Sequence, residues 1–278
     1  PSIQPDIESP AKREHRQMIE AHELLRKLYH HILVNTNDGQ KALEYLLKRG
    51  FTQESIEKYQ IGFALNSWDF AVKFFIKRDF PAPILEKAGL IIKRENNDGY
   101  FDRFRNRIMF PIFDGKGNTI AFSGRMLGPG EPKYLNSPET PLFNKSKILY
   151  NYHFARPKMR KLQQAILFEG FADCIAADRA GVENGVATMG TSLTEDHVAL
   201  IRRNVQQVTL CYDGDDAGIE AAYRAGEMLN EAGFQVRVAL MPEGMDPDEY
   251  IAKFGGDKFQ QEVIGQSQTF MSFKLLYF

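Results

Sequence analysis

Cysteine is almost missing from this chain. Of its 278 residues only Cys174 and Cys211 carry thiols, both inside apolar stretches and far from a second cysteine at metal-ligand spacing. A disulfide scaffold and a cysteine zinc site are therefore excluded, and a reducing, cytoplasmic setting is expected. Long hydrophobic runs are missing too. No stretch reaches the roughly 18 apolar residues of a membrane span, and residues 1–9 are polar, with no basic-then-apolar leader. Neither a membrane partner nor a signal peptide is expected. No Gly-x-x-x-x-Gly-Lys-Ser/Thr motif occurs, which disfavours a P-loop ATPase or helicase. The histidines show no His-Glu-x-x-His spacing. His15, His22, His30 and His31 fall on one expected helix and His197 in a helix's first turn, so structural or solvated roles are expected for them. Internal repeats are absent, and Pro1 in place of Met suggests a piece of a longer protein.

What is present is a globular composition, 43% hydrophobic and 26% charged, sufficient for one or two domains. The net charge of −1 is a cancellation of opposite blocks. Residues 1–92 are nearly balanced, at 13 basic and 12 acidic side chains. Residues 93–161 set 14 basic against 6 acidic side chains (+8), and residues 162–278 set 8 against 18 (−10). Basic segments attract polyanions, and carboxylate-rich ones repel them unless divalent cations intervene. The pair points to a metal-dependent nucleic-acid enzyme, with two unrelated solvated faces as the plain alternative.

Met18, Leu25, Leu28 and Ile32 mark one face of a helix over residues 11–34, and residues 39–49 repeat the pattern with Gly50 as its stop. Ser67 is a candidate cap for a third helix ending before Pro81. Turn signals at residues 96–99 and 115–118 then separate short apolar runs, predicting a hairpin over residues 108–113 and 119–126. Residues 128–147, with four prolines, read as a long functional loop. Beyond Tyr152 strands at 164–168, 185–189, 207–212 and 235–240 alternate with helices at 172–180, from 194, and at 217–232. Such alternation predicts an α/β open, mainly parallel sheet flanked by helices, preceded by a mixed helical and hairpin α+β part and followed by short helices. The expected division is a basic subdomain over 1–150, a catalytic subdomain over 151–245 and a helical segment over 246–278.

Three acidic clusters follow three of those strands, at the carboxyl edge where an open sheet gathers its functional side chains. They are Glu169 with Asp173, Asp213-Gly214-Asp215, and Asp246-Pro247-Asp248. Carboxylates meeting at one point cannot all stay ionised without compensating charge. Oxygen-only ligands select hard ions, so Mg²⁺ or Mn²⁺ is expected. Two such ions can stabilise the attacking and leaving oxygens of a phosphoryl displacement. An EF-hand is disfavoured, since Ala217 stands at the fifth loop position and Arg224 at the twelfth. Ordinary turn and capping roles remain open for any one cluster alone.

The three clusters on alternating strands and helices resemble the Toprim domain shared by topoisomerases, bacterial primases and some nucleases. Upstream, Arg103 to Ile112, Phe122-Ser123-Gly124-Arg125, and Pro132 to Thr140 with Phe143-Asn144-Lys145 resemble the signature of bacterial DnaG-type primases. The likeness runs across most of residues 90–250. It implies the catalytic RNA polymerase core of a primase, with single-stranded DNA template, RNA primer and ribonucleoside triphosphates as partners and no membrane. By the family's motifs, Glu169 is implied as general acid/base or metal-site residue and Asp213 and Asp215 as metal ligands, with Asp173, Asp246 and Asp248 completing a site for two or three ions. Arg105, Arg107, Arg125, Lys133, Tyr134, Asn136 and Lys145 match positions that contact nucleic acid or nucleotide. Tyr100, Phe104 and Tyr134 are candidates for base stacking, with packing beneath the hairpin the competing role, stronger for Phe104. The family's zinc-binding domain and the domain that meets the replicative helicase are expected to be absent here. A Toprim nuclease and a non-catalytic nucleic-acid scaffold stay open as alternatives, whereas a topoisomerase would need a separate cleavage domain with a nucleophilic tyrosine.

Overall fold

The computed structural model describes residues 7–96, 98–242 and 244–278. Pro1 and Asn97 of the expected 96–99 turn lie outside them. The chain forms two compact units. One holds the chain up to Ile112 together with Asn118–Asn144, and the other holds Phe113–Gly117 and Lys145–Phe278, so that residues 246–278 belong to the second.

The first unit is built on α1 (Pro10–Asn35), whose start is set by Ser9, with its side chain accepting the Lys12 amide at 3.3 Å, and by Pro10 in the first turn. Next come α2 (Gln40–Lys48), α3 (Gln53–Tyr59), β1 (Gly62–Ala64), α4 (Phe70–Ile76), α5 (Ala82–Lys87), β2 (Ile91–Lys93), β3 (Tyr100–Asp102), β4 (Arg107–Phe113), β5 (Thr119–Met126) and β6 (Tyr134–Asn136). One sheet has the order β1-β4-β5-β6, and β2 pairs with β3 separately. The buried face of α1 joins Phe75, Leu85, Phe104, Met109 and Phe122 in one core. Phe104 is 1% exposed, so packing is its role. Glu23 ties α1 to β5 by accepting the Thr119 amide at 2.7 Å while pairing with Arg26 at 2.6 Å.

Two expectations need correction. Ser67 does not cap the third helix: α4 starts after Asp69, which makes no side-chain cap, and the Asp102 carboxylate arrives from β3 to accept the Ala71 and Val72 amides at 2.8 and 3.0 Å. The cap is long-range and leaves no local sequence signal. The segment 128–147 is also not wholly irregular, because Tyr134–Asn136 pair antiparallel with Ser123–Arg125.

The second unit runs α6 (Tyr152–Leu162), β7 (Gln164–Phe168), α7 (Phe171–Arg179), β8 (Gly185–Ala187), α8 (Glu195–Arg202), β9 (Gln207–Leu210), α9 (Asp216–Glu231), β10 (Gln235–Val238), α10 (Pro247–Phe254), α11 (Gly256–Lys258), a π-turn over Phe259–Ile264, β11 (Gln268–Thr269) and α12 (Phe270–Tyr277). Its sheet has the order β11-β10-β9-β7-β8, parallel except for β11, with Ile166 opposite both Thr209 and Gly185. Residues 165–168 are buried throughout, as continuous apolar runs are when helices cover both faces of a parallel sheet. His197 closes a capping box on Thr194: its Nδ1 accepts the Thr194 amide at 3.1 Å, and its Nε2 donates to the Lys145 carbonyl at 2.8 Å. Its role is structural, as expected. Among the described residues no helix is long and apolar enough to cross a membrane.

His22 is completely buried, with Nδ1 donating to the Met18 carbonyl at 2.8 Å and its ring stacked on Phe122 at 5.7 Å. Burial pulls its pKa down to about 4, from an ordinary 6.5. Between those values the unfolded chain binds more protons than the folded one. The neutral ring's contribution is thus fully present above the ordinary value and lost as pH falls toward about 4. Asp102, pushed up to about 6 by burial, acts in the opposite sense as pH falls. We therefore expect urea unfolding of the wild type, compared with His22→Gln, to show a stability difference that shrinks on acidification by up to about 3 kcal/mol. A difference independent of pH contradicts the buried neutral imidazole.

Candidate functional site

All three acidic clusters lie in the second unit, at the carboxyl ends of its parallel strands. The chain runs from β7 outward to β8 and then returns to place β9 on the other side of β7. Glu169 follows β7 and Asp213 follows β9, so both stand where the strand order reverses, the usual ligand position in an open α/β sheet. Their link is direct: the Asp213 amide donates to Glu169 Oε1 at 2.9 Å. Asp215 caps α9 by accepting the Gly218 amide at 2.7 Å. Asp246 caps α10 in a capping box with Glu249. Asp173, on the first turn of α7, accepts the Asp248 amide at 3.2 Å and is 7% exposed. That bond ties the first cluster to the third.

Two glycines let the second cluster turn. A Cβ on Gly214 would lie 2.1 Å from the Pro242 carbonyl oxygen, and one on Gly218 would lie 2.2 Å from the Asp213 carbonyl oxygen. Gly214 also exchanges backbone hydrogen bonds with the third loop, donating to Met245 and accepting from Gly244 at 2.9 and 3.2 Å.

The electrostatic consequence is strain of like charges. Burial, then the charges of Glu169, Asp246, Asp215 and Glu249, push Asp213 up to about 7. Burial, then Asp213 and Asp246, hold Asp173 well above the carboxylate range, and burial raises Glu169. Arg179 pairs with Asp248 at 3.7 Å. Among the described residues, no three His, Cys, Asp or Glu side chains are gathered closely enough to hold a metal ion as they stand. Capping explains part of this spread, since one oxygen each of Glu169, Asp173, Asp215 and Asp246 is committed to a backbone amide. The donor set nevertheless fits a hard cation. It is all oxygen, it is destabilised by its own charge, and Asp213 Oδ1 is buried without a hydrogen-bond partner. Glu169 also lines a cavity of about 590 Å³ with Thr188, Thr191, Ser192 and Arg224, ample for a nucleotide-sized ligand. Sequence reading missed this cavity because its hydroxyls and Arg224 carry no motif.

The basic candidates divide. In the first unit, Arg105 is half-buried against Trp68, and Arg125 lies over Tyr45 and Tyr134 at 4.6 and 5.9 Å. Lys133 is exposed beside Tyr134, itself 40% exposed. Asn136 pairs with Ser123, and its carbonyl accepts from Arg103. Arg107 departs from expectation. It is 4% exposed and donates to the Gly124 and Lys133 carbonyls at 3.0 and 3.4 Å, so its charge holds strand edges together. Lys145 belongs to the second unit, where its backbone carbonyl holds His197.

Comparison with known proteins follows the same division. A family model described as "DNA primase catalytic core, N-terminal domain" matches residues 29–156, and one described as "Toprim-like" matches residues 166–251. The DNA primase of Halalkalibacterium halodurans is 48% identical over 99% of this chain and 47% of its own length. That of Geobacillus stearothermophilus is 52% identical over 95% and 44%. The chain thus spans about half the length of the curated relatives it matches. A solved DnaG primase catalytic domain bound to single-stranded DNA is 36% identical, with a TM-score of 0.86, over 95% of this chain and 83% of that one. The RNA polymerase domain of the Mycobacterium tuberculosis primase is 30% identical, with a TM-score of 0.86, over 94% and 86%.

With Asp213 pushed up to about 7, a divalent cation bound there would displace a proton near neutral pH. Calorimetry should find Mn²⁺ affinity falling about tenfold per pH unit below that point, and a flat profile contradicts the site. Gly214→Ala should destabilise the chain by about 2 kcal/mol or more through its clash with Pro242 and weaken Mn²⁺ binding. A thermal unfolding curve like the wild type's argues against the close approach.

Proposed function

Because this chain belongs to the family of bacterial DnaG-type primase catalytic cores, we propose that it makes short RNA primers on single-stranded DNA from ribonucleoside triphosphates. The observation that carries the reading is the joining of three acidic clusters at one sheet edge by the Asp213–Glu169 and Asp248–Asp173 hydrogen bonds. The reaction forms a bond between a primer 3′-oxygen and the α-phosphorus of a triphosphate. Pyrophosphate leaves, and the hydroxyl proton passes to a base.

Asp213, Asp215, Asp173, Asp246 and Asp248, with Glu169, would hold two or three Mg²⁺ or Mn²⁺ ions. Such ions supply neutralisation of the triphosphate and of the leaving pyrophosphate. Glu169 is the proton acceptor in this reading: burial raises its pKa, it lines the cavity of about 590 Å³, and it accepts the Asp213 amide. Arg105, Arg125 and Lys133 neutralise phosphates without reading sequence, and Tyr134 and Asn136 stand among them. Arg107 supports their scaffold through its carbonyl contacts. Lys145 matches a position that contacts nucleic acid or nucleotide, and its backbone is held by His197. Contact with a replicative helicase is assigned to no residue of this chain.

The test is incorporation of labelled ribonucleotides on single-stranded DNA in Mg²⁺ or Mn²⁺. Asp213→Asn and Asp215→Asn should each lower synthesis by about a thousandfold or more while leaving single-stranded DNA affinity within about threefold. Equal loss of DNA affinity would refute the division of labour. Loss of labelled nucleic acid without incorporation points to a nuclease instead. Lys133→Ala should weaken nucleic-acid binding and lower the salt slope by about one, and an unchanged slope removes Lys133 from the interface.

A further inference from the structure

Arg179 stands in none of the motifs that mark the acidic site, yet it meets one of the acids. It lies in the last turn of α7 and Asp248 in the first turn of α10, so each charge sits at the helix end that favours its sign. Their charged groups are 3.7 Å apart, and each side chain is only 11% exposed. Asp248 is thus gripped twice by α7. Its amide donates to Asp173 at 3.2 Å, and its carboxylate faces Arg179. All these groups belong to the second unit.

The neighbouring acids are held differently. Glu169, Asp173, Asp215 and Asp246 each accept a backbone amide on one oxygen. An amide is a dipole, so it leaves the carboxylate its charge and its other oxygen for an ion. A guanidinium supplies the whole unit charge that an ion would otherwise bring. Arg179 cannot shed its proton, and a cation that took Asp248 would strip a buried guanidinium of this counter-charge. We propose that Arg179 is a positioning residue that holds the Asp248 carboxylate in place of a divalent cation, leaving the ions to Glu169, Asp173, Asp213, Asp215 and Asp246. The inference rests on the reading of these acids as a hard-cation centre and narrows its ligand set by one.

Mn²⁺ is titrated into the unmodified 278-residue chain, Arg179→Gln, Asp248→Asn and the double variant, with free Mn²⁺ read from its paramagnetic resonance signal. Because each substitution changes one charge beside the ions, Arg179→Gln should tighten binding about tenfold and Asp248→Asn should weaken it about tenfold. Neither should change the number of ions bound. The double variant removes a neutral pair, so its affinity should return to within about threefold of the wild type's. Opposite shifts that cancel do not arise from a structural role alone. A double variant that binds one ion fewer, or as weakly as Asp248→Asn, makes Asp248 an ion ligand and overturns the proposal. Arg179→Gln binding no more tightly than the wild type overturns it too. Should a single variant fail to fold, the double variant decides alone, since glutamine and asparagine there replace the pair without leaving either charge behind. A wild type that takes up no Mn²⁺ brings down the hard-cation reading together with the inference, whereas the other contrary results leave that reading standing.

Discussion

Mutual repulsion among carboxylates confined to one edge of a parallel sheet is the constraint on which the second unit is organised. The central strand β7 is apolar and buried from Ala165 to Phe168, which fixes the carboxyl end from which Glu169 projects. The acids are then held by backbone amides: Glu169 by Asp213, Asp173 by Asp248, and Asp215 and Asp246 by the first turns of their own helices. Helix N-termini favour negative charge, which offsets part of the cost of crowding it. The remainder shows as carboxyls lifted well above their ordinary range, Asp213 to about 7. A bound cation would remove that penalty.

The first unit faces the complementary problem of presenting positive charge without wasting it. Guanidinium groups there rest on aromatic rings: Arg105 on Trp68, Arg125 on Tyr45, Arg94 on Phe101. Stacking restrains these planar cations, and Arg105 and Arg125 are further tied by donating to the Asp102 and Met126 carbonyls. Arg107 shows the contrast, since burial and two carbonyl partners turn the same side chain into a structural tie.

The sequence carried a large share of this, and physical reasons separate the legible part from the rest. The alternation of apolar strands and amphipathic helices beyond residue 164 is local, and all four parallel strands begin where expected, although those from Gly185, Gln207 and Gln235 end two residues earlier. The acidic clusters were legible because Gly214 marks a tight turn after β9 and Pro247 the first turn of α10. The cap that Asp102 lends to α4 was not, because donor and acceptor are about thirty residues apart and neither has a capping pattern of its own. Strand β6 hid among prolines, since three residues are too few for a period to appear. Arg107 could not be told from Arg105 because both belong to one basic run, and only burial distinguishes them.

We propose that these acids constitute a hard-cation centre. Anomalous diffraction from crystals of the chain equilibrated with manganese tests it most directly. The account predicts manganese peaks against Asp213 and Asp215, with a second ion about 4 Å from the first and Glu169 beside the pair. Crystals whose anomalous maps are featureless at that sheet edge, with the acids still bonded only to backbone amides, would contradict it.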